Sequence, residues 1–389
     1  MGNKPSTHYI PVEDDNTVFI SKENDVHRIP ALFYDSDRKI LLAFAEKRDT
    51  SDDASAVALV MKTGTLHTDA TTHEVTVKWS ELKLVKEAHI EGYRPMNPCP
   101  LYEKTSKTLF LFFVCIEGTT SELFQICCNQ NKARLCYITS KDGGQSWSGV
   151  TDLTDELPEI KSWATFAVGP GHGIQTESGR LIVPVYGYAS CSPSCCCFIK
   201  FYCCTPYAIS LYSDDKGKTW QFSKRIEKVS VECEMAEVFD DTGLKSIYCN
   251  ARSKGGYRVE ALDKNDGAGF RVLKSKLVET GGGCQGSVVS FPAQNKDAES
   301  QTNKWLLYSH PSSQSKRTDL GVYLNKVPSD SSAWSKPWII NSGPSGYSDL
   351  AYIGDGLFAL LMECGKQNYI EQIAYKVFSY EEVIQGIGK

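Results

Sequence analysis

Three arginines sit in settings that suggest a shared task. Arg28 lies in His27-Arg28-Ile29-Pro30, Arg252 in Asn250-Ala251-Arg252 and Arg317 in Arg317-Thr318-Asp319-Leu320-Gly321, each beside the end of a β-rich run. A guanidinium is planar, permanently charged and forked, which suits it to gripping a carboxylate. One arginine alone is most often half of a surface ion pair. Three brought to one point would do more, because hydrogen bonds to a charged group contribute roughly 1.5–3 kcal/mol each. Together they could outweigh the cost of desolvating an anionic ligand.

Cysteine offers a second kind of chemistry. Of fifteen cysteines, Cys191, Cys195, Cys196, Cys197, Cys203 and Cys204 crowd into the stretch CSPSCCCFIKFYCC. No pair there has C-x-x-C spacing and no histidine interrupts the run, so no structural metal is expected. The first fifteen residues contain no apolar leader and the chain carries no Asn-x-Ser/Thr sequon. The expectation is reduced thiols in a cytosol-facing protein. Met1-Gly2-Asn3-Lys4-Pro5-Ser6 fits the M-G-x-x-x-[ST] myristoylation pattern, and a single acyl chain gives reversible membrane binding.

These groups need a scaffold to position them, and composition bounds what it can be. The chain has 389 residues, 42 Lys+Arg against 47 Asp+Glu and 41% hydrophobic residues, the balance of a soluble globular protein. Its slightly acidic charge argues against nucleic acid as a partner. The longest apolar run, Leu109–Ile116, is far short of the ~20 residues a membrane-spanning helix needs.

Short β-rich runs recur along the chain, among them Lys39–Glu46, Ser55–Lys62, Leu109–Glu117, Leu181–Tyr188, Lys245–Cys249, Trp305–Ser309 and Phe358–Glu363. Helical patterning is confined to Glu156–Lys161 and the tail from Glu381. One all-β domain over residues 20–389 is expected, preceded by an N-terminal segment, 1–19, that is a candidate for lipidation. Ser140-Lys-Asp142-Gly-Gly144-Gln-Ser146-Trp147 and Ser213-Asp-Asp215-Lys-Gly217-Lys-Thr219-Trp220 share the pattern S-x-D-x-G-x-[ST]-W, the Asp box. A looser copy runs from Asp263 to Phe270. Repeats of this kind point to a β-propeller, whose radial blades protect their sheet edges. The repeat itself speaks for fold, and a binding propeller would carry it equally well.

Other segments break that tie. His27–Leu32, followed by Leu41–Arg48 and then Asp53, resembles the F/Y-R-I-P region of exo-α-sialidases, with His27 in the aromatic position. Met96–Pro100, Trp163–Gly173, Val231–Cys233, Asn250–Arg252, Cys284–Ser287, Arg317–Gly321 and Gly346–Leu350 extend the resemblance over nearly the whole chain. The chain is thus similar to the vertebrate exo-α-sialidase (neuraminidase) family. Around Trp163–His172 and Ser309–Pro311 it looks most like the membrane-associated, ganglioside-cleaving branch.

The resemblance implies a six-bladed propeller that hydrolyses terminal sialic acids from glycolipids or glycoproteins without a metal or organic cofactor. It makes Arg28, Arg252 and Arg317 the clamp on the sugar's carboxylate. That carboxylate sits on the reacting carbon and would repel an acidic nucleophile; sialidases are the exception among glycosidases in using tyrosine. Tyr347 is implied as nucleophile, Glu232 as its base and Asp53 as acid/base. Asp49 and Asp52 lie close by, and Ser55 stands where the family usually has histidine. Arg48, Met96, Glu122, Tyr186, Tyr188 and Gln285 are carried over as substrate contacts, and Glu363 as the partner that orients an arginine. The 191–204 run would overhang the pocket, with its six cysteines and Gly2 as lipidation candidates. The expected setting is peripheral on the plasma membrane or an endomembrane after cytoplasmic synthesis, the alternative being a soluble cytosolic protein. The rival reading is a catalytically inactive propeller that binds sialylated glycans, which would require a lesion among Asp53, Glu232 and Tyr347.

Overall fold

The computed structural model describes residues 15–69, 71, 74–194, 201–239, 243–264, 269–294 and 303–388, with backbone alone for 190–194 and 201–203. Runs such as Leu109-Phe-Leu-Phe-Phe-Val-Cys-Ile are apolar at every position because both faces of their strand are covered. Sheets of this kind must stack face to face, and here they stack around an axis.

Four antiparallel sheets are single blades, with inner strands Val26–Asp35, Tyr93–Glu103, Phe166–Val168 and Cys233–Phe239. A fifth sheet of seven strands contains two blades joined through the long strand Trp338–Gly354. The first part of that strand pairs with Thr318–Asn325 and the second with Leu357–Cys364. Counted this way the blades number six. Six apolar clusters fill the gaps between successive blades, including the gap between the last and the first. The expected propeller is therefore present, although hydrogen bonding alone divides it into five sheets.

The seam is closed by Thr17–Ile20, which pairs with Gln372–Ser379 on the final blade. The domain boundary expected at residue 19/20 falls inside this strand and is corrected to about Thr17, because the last blade needs those residues as its outer edge. The Asp boxes work as turn clamps. Asp142 Oδ1 accepts the N–H groups of Gln145 and Ser146 at 3.0 and 2.9 Å, and the Ser140 hydroxyl accepts the N–H of Gly144 at 2.9 Å. Asp215 and Ser213 repeat the arrangement. Each box throws its tryptophan across a gap: Trp147 meets Phe44 and Trp220 meets Phe112 of the preceding blade. Trp79, at the end of the strand Val75–Trp79, and Trp334 make the equivalent contacts, with Tyr375 and Tyr248, without the box residues. The looser copy spans 265–268, which lie outside the described residues, but Phe270 packs into the corresponding gap.

Three inner or hub-facing strand ends carry bulges. Ile29, Asn97 and Asp319 have φ of 59°, 57° and 59°, each within two residues of Arg28, Met96 or Arg317. A β-branched residue is strained in that region, and a bulge re-aims the side chains beside it. Ile29 is held there by its N–H, which donates to Glu363 Oε1 at 3.0 Å.

If the box tryptophans carry the inter-blade contacts, Trp220→Ala should lower the unfolding free energy by about 3–5 kcal/mol in denaturant titrations. Tyr257→Ala, at an exposed position, should move it by less than about 0.5 kcal/mol.

Candidate active site

The hub opens on one side into a cleft of about 330 Å³, within the range of small-ligand sites. Arg28, Arg252 and Arg317 enter it from three different blades and meet around Tyr347. The Arg28 and Arg317 guanidinium carbons lie 5.8 and 5.2 Å from the Tyr347 ring centre. Arg252 Nη1 donates to the Tyr347 hydroxyl at 3.1 Å and to Glu232 Oε2 at 2.7 Å. The expected convergence is what the fold produces.

Each cation is anchored from behind. Glu363, fully buried, accepts Arg28 Nε at 2.6 Å and Nη2 at 3.2 Å, and also the backbone N–H of Tyr347 at 3.0 Å. It thus fixes one arginine and the tyrosine together, the orienting role expected of it. Arg252 Nη2 and Arg317 Nη2 donate to the carbonyls of Gly282 and Gly283 at 2.9 and 3.0 Å. Tyr369, which has no motif around it, lies under both Arg28 and Arg317 at 5.4 Å and was not identified from sequence.

The Tyr347 hydroxyl donates to Glu232 Oε1. Burial pushes the phenol well above its ordinary range; the charge of Glu232 adds to this, and Arg252 and Arg317 oppose it. The resting phenol is therefore protonated, with an acceptor already on its proton and the Arg252 guanidinium on its oxygen.

Asp53 opens a one-turn 3-10 helix, Asp53–Ser55, capped by Asp52, on the rim opposite. Its side chain is 73% exposed, and Oδ1 accepts Arg48 Nη1 at 2.5 Å. Of the three neighbouring aspartates only Asp53 borders the cleft; Asp49 and Asp52 line a separate surface hollow. Ser55 folds back onto Thr50 and Asp52. Arg48 borders the cleft, but its donors are occupied by Glu46, Ser51 and Asp53. Its contact role is corrected accordingly: it holds Asp53. Arg94, also missed from sequence, donates to the Asp53 carbonyl at 3.2 Å.

Met96 and Tyr186 line the wall. Tyr188 stands edge-on to Tyr186 and hydrogen-bonds Glu122. Glu122 is the first residue of an unpredicted helix, Glu122–Cys128, whose N-cap is Ser121. Solvent reaches Glu122, yet protein surrounds it on most sides. That confinement, with the charges of Glu232 and Asp53, pushes its carboxyl up to about 7.

Gln285 is a correction. It is fully buried below the cleft, where its amide donates to Pro170, Glu234 and Ser348 and accepts from the Ser348 N–H. It braces the Tyr347 strand and does not face the ligand space. Nearby, His172, Glu234 and Asp349 form a cluster with metal-ligating groups. Their atoms are already engaged: His172 Nδ1 lies 2.7 Å from Asp349 Oδ1, and the Ser287 hydroxyl is shared between the two acids.

Of the lipidation candidates, Gly2, Cys195, Cys196 and Cys197 lie outside the described residues. Cys191 and Cys203 are placed by backbone on a hairpin that extends Leu181–Ser194 and Phe201–Ser213, with Cys191 opposite Cys204. Cys204 is disulfide-bonded. That corrects the expectation of reduced thiols at this position and leaves its sulfur unavailable for acylation.

The carboxyl carbon of Glu122, followed by NMR, should titrate with a midpoint near 7 and be missing from Glu122→Gln. A midpoint near the ordinary ~4.3 would mean that the crowding is not felt.

A family model described as a BNR repeat-like domain matches residues 22–360. Sialidase-3 of Bos taurus is 43% identical over 402 aligned positions, covering 94% of this chain and 92% of its own. Sialidase-2 of Mus musculus is 42% identical, covering 96% and 97%. Among solved structures, the Hadza microbial sialidase Hz136 matches with a TM-score of 0.73 at 19% identity, over 92% of this chain and 66% of that one, a likeness of fold. Identity sustained over more than nine-tenths of the chain, on a propeller whose hub gathers the expected arginines, means that this chain belongs to the sialidase family.

Proposed function

We propose that this chain is an exo-α-sialidase that removes terminal sialic acids from gangliosides and other sialoglycoconjugates with retention of configuration. The observation that carries this reading is the Tyr347 hydroxyl, held between Glu232 and Arg252, with Arg28 and Arg317 against the Tyr347 ring.

A terminal sialic acid bears its carboxylate on the anomeric carbon. The three guanidiniums bind that carboxylate and fix the carbon over Tyr347. As the phenol oxygen forms its bond to the anomeric carbon, its proton passes to Glu232 and the bond to the leaving oxygen breaks. Asp53 donates the proton that oxygen requires. The resulting glycosyl–tyrosine is then attacked by water, which gives its proton to Asp53, while Glu232 returns a proton to the phenolate. A neutral phenol avoids the repulsion between two anions until the reaction begins, and Arg252 and Arg317 stabilise the charge that develops on it.

The lipid-linked part of the proposal draws on the rim. The helix that carries Glu122 into the cleft exposes Leu123 and Phe124 on its outer side, at 68% and 47%. The strand Phe201–Ser213, paired with Leu181–Ser194, packs beside that helix. An apolar rim beside a glycan cleft suits a substrate whose sugar projects from a bilayer. This reading favours peripheral attachment to a membrane over a freely soluble cytosolic enzyme. Among the described residues, no helix is long and apolar enough to cross a membrane.

The first test is release of fluorophore from a 4-methylumbelliferyl sialoside at acidic pH. Asp53→Asn should lose about 10²-fold or more in kcat, and Tyr347→Phe at least as much. Wild-type turnover in Tyr347→Phe would remove the nucleophile from the mechanism. The second compares gangliosides in vesicles with 3′-sialyllactose. Leu123→Ser with Phe124→Ser, which removes two apolar side chains, should slow the vesicle reaction at least about tenfold and leave the trisaccharide rate unchanged. Equal effects on both substrates would reject the rim.

A further inference from the structure

Behind two of the three arginines lies a second charged layer that a substrate cannot touch. The loop Thr280-Gly281-Gly282-Gly283-Cys284 presents the two carbonyls that receive Arg252 and Arg317. It is built for close approach. Gly283 has φ +78°, and a Cβ there would lie 2.3 Å from the Ser253 carbonyl and 2.7 Å from Arg252 Nε. Main-chain oxygens therefore aim both cations, and those oxygens move with the loop.

Glu279 holds the loop. Its buried carboxylate accepts the N–H groups of Thr280 at 2.9 Å and Cys284 at 3.2 Å through Oε1, and that of Ser253 at 3.1 Å through Oε2. Those residues are the two ends of the glycine loop and the residue that follows Arg252. Arg258, also fully buried, donates from Nη1 to Glu279 Oε2 at 2.8 Å and to the Cys284 carbonyl at 2.5 Å. Asn250 orients Arg258 by accepting its Nε at 2.8 Å, and His310 Nε2 lies 2.9 Å from Glu279 Oε1. Burial alone would raise the Glu279 carboxyl, but Arg258 and His310 outweigh it and hold the group ionised.

A buried ion pair adds little stability over a well-packed apolar replacement, so its presence calls for another role. We propose that Glu279, charge-balanced by Arg258, is a positioning residue for the anion clamp: it fixes the glycine loop whose carbonyls set the directions of Arg252 and Arg317. The proposal rests on the reading of those arginines as the clamp on the substrate carboxylate.

The experiment measures a ratio that partial unfolding does not change. Inhibition constants are determined for 2,3-unsaturated sialic acid and for its methyl ester, which differ in the charge the arginines grip. In Glu279→Gln the preference for the acid should fall at least about tenfold, while the ester's own constant changes less than about threefold. Arg317→Ala is the control for the clamp. An unchanged preference there would refute the clamp itself. A collapsed preference in Arg317→Ala with a wild-type preference in Glu279→Gln would overturn the role of Glu279 alone. If Glu279→Gln does not fold, the paired replacement Arg258→Met with Glu279→Gln removes the stranded charge and is read in the same way. Failure of both chains to fold would make the pair a determinant of the fold and would equally overturn the positioning role.

Discussion

Like charges repel, and this site gathers three permanent cations around a single phenol ring. The hub is organised by how that repulsion is offset before any ligand arrives. Arg28 is neutralised by Glu363 and Arg252 by Glu232. Arg317 is treated differently: among the described residues it makes no salt bridge, and its donors meet the Gly283 carbonyl and the Tyr369 hydroxyl. Two balanced cations and one incompletely balanced cation leave the socket electropositive around the phenol.

The same arrangement sets the chemistry of the tyrosine. Glu232 neutralises Arg252 and also accepts the proton of Tyr347, so the guanidinium and the phenol share one carboxylate. Glu363 links them a second time through the Tyr347 N–H. Neither acid can be removed without stranding a buried charge, an error more costly than losing a surface pair. The bulges at Ile29, Asn97 and Asp319 belong to the same account, since a regular strand would point its side chains alternately up and down the blade. Residues at those ends must turn toward the axis, and the backbone strain is tolerated because the surrounding hydrogen bonds fix it.

Much of the scaffold was legible because strands such as Ile40–Arg48, Thr108–Glu117 and Leu357–Cys364 hold long apolar runs bounded by turn residues. The inner strands were less so. They contain proline, charged residues and left-handed backbone, features that propensity assigns to loops, as in Arg28-Ile29-Pro30 and Arg94-Pro95-Met96-Asn97-Pro98. The convergence of Arg28, Arg252 and Arg317 could be read because these arginines lie in recognisable strings. Arg94, Tyr369 and Glu279 could not, since each is a lone polar residue whose meaning depends on partners far away in sequence. Gln285 was misplaced for a related reason: proximity in a motif cannot distinguish a side chain that faces the ligand from one that braces the wall behind it. The helix at Glu122–Cys128 is too short for its periodicity to register.

The ring is sewn shut with residues from opposite ends of the described chain. Thr17–Ile20 completes a blade whose other strands lie beyond residue 344, and Arg28 finds its counter-ion 335 positions away at Glu363. During synthesis the early strands therefore wait for the last ones, and such distant pairings are slow to form. A polypeptide that stops short of Glu363 has the latch strand but lacks both its pairing partner and the counter-ion of Arg28. The socket around Arg28 therefore closes only after the strand Leu357–Cys364 has been synthesised.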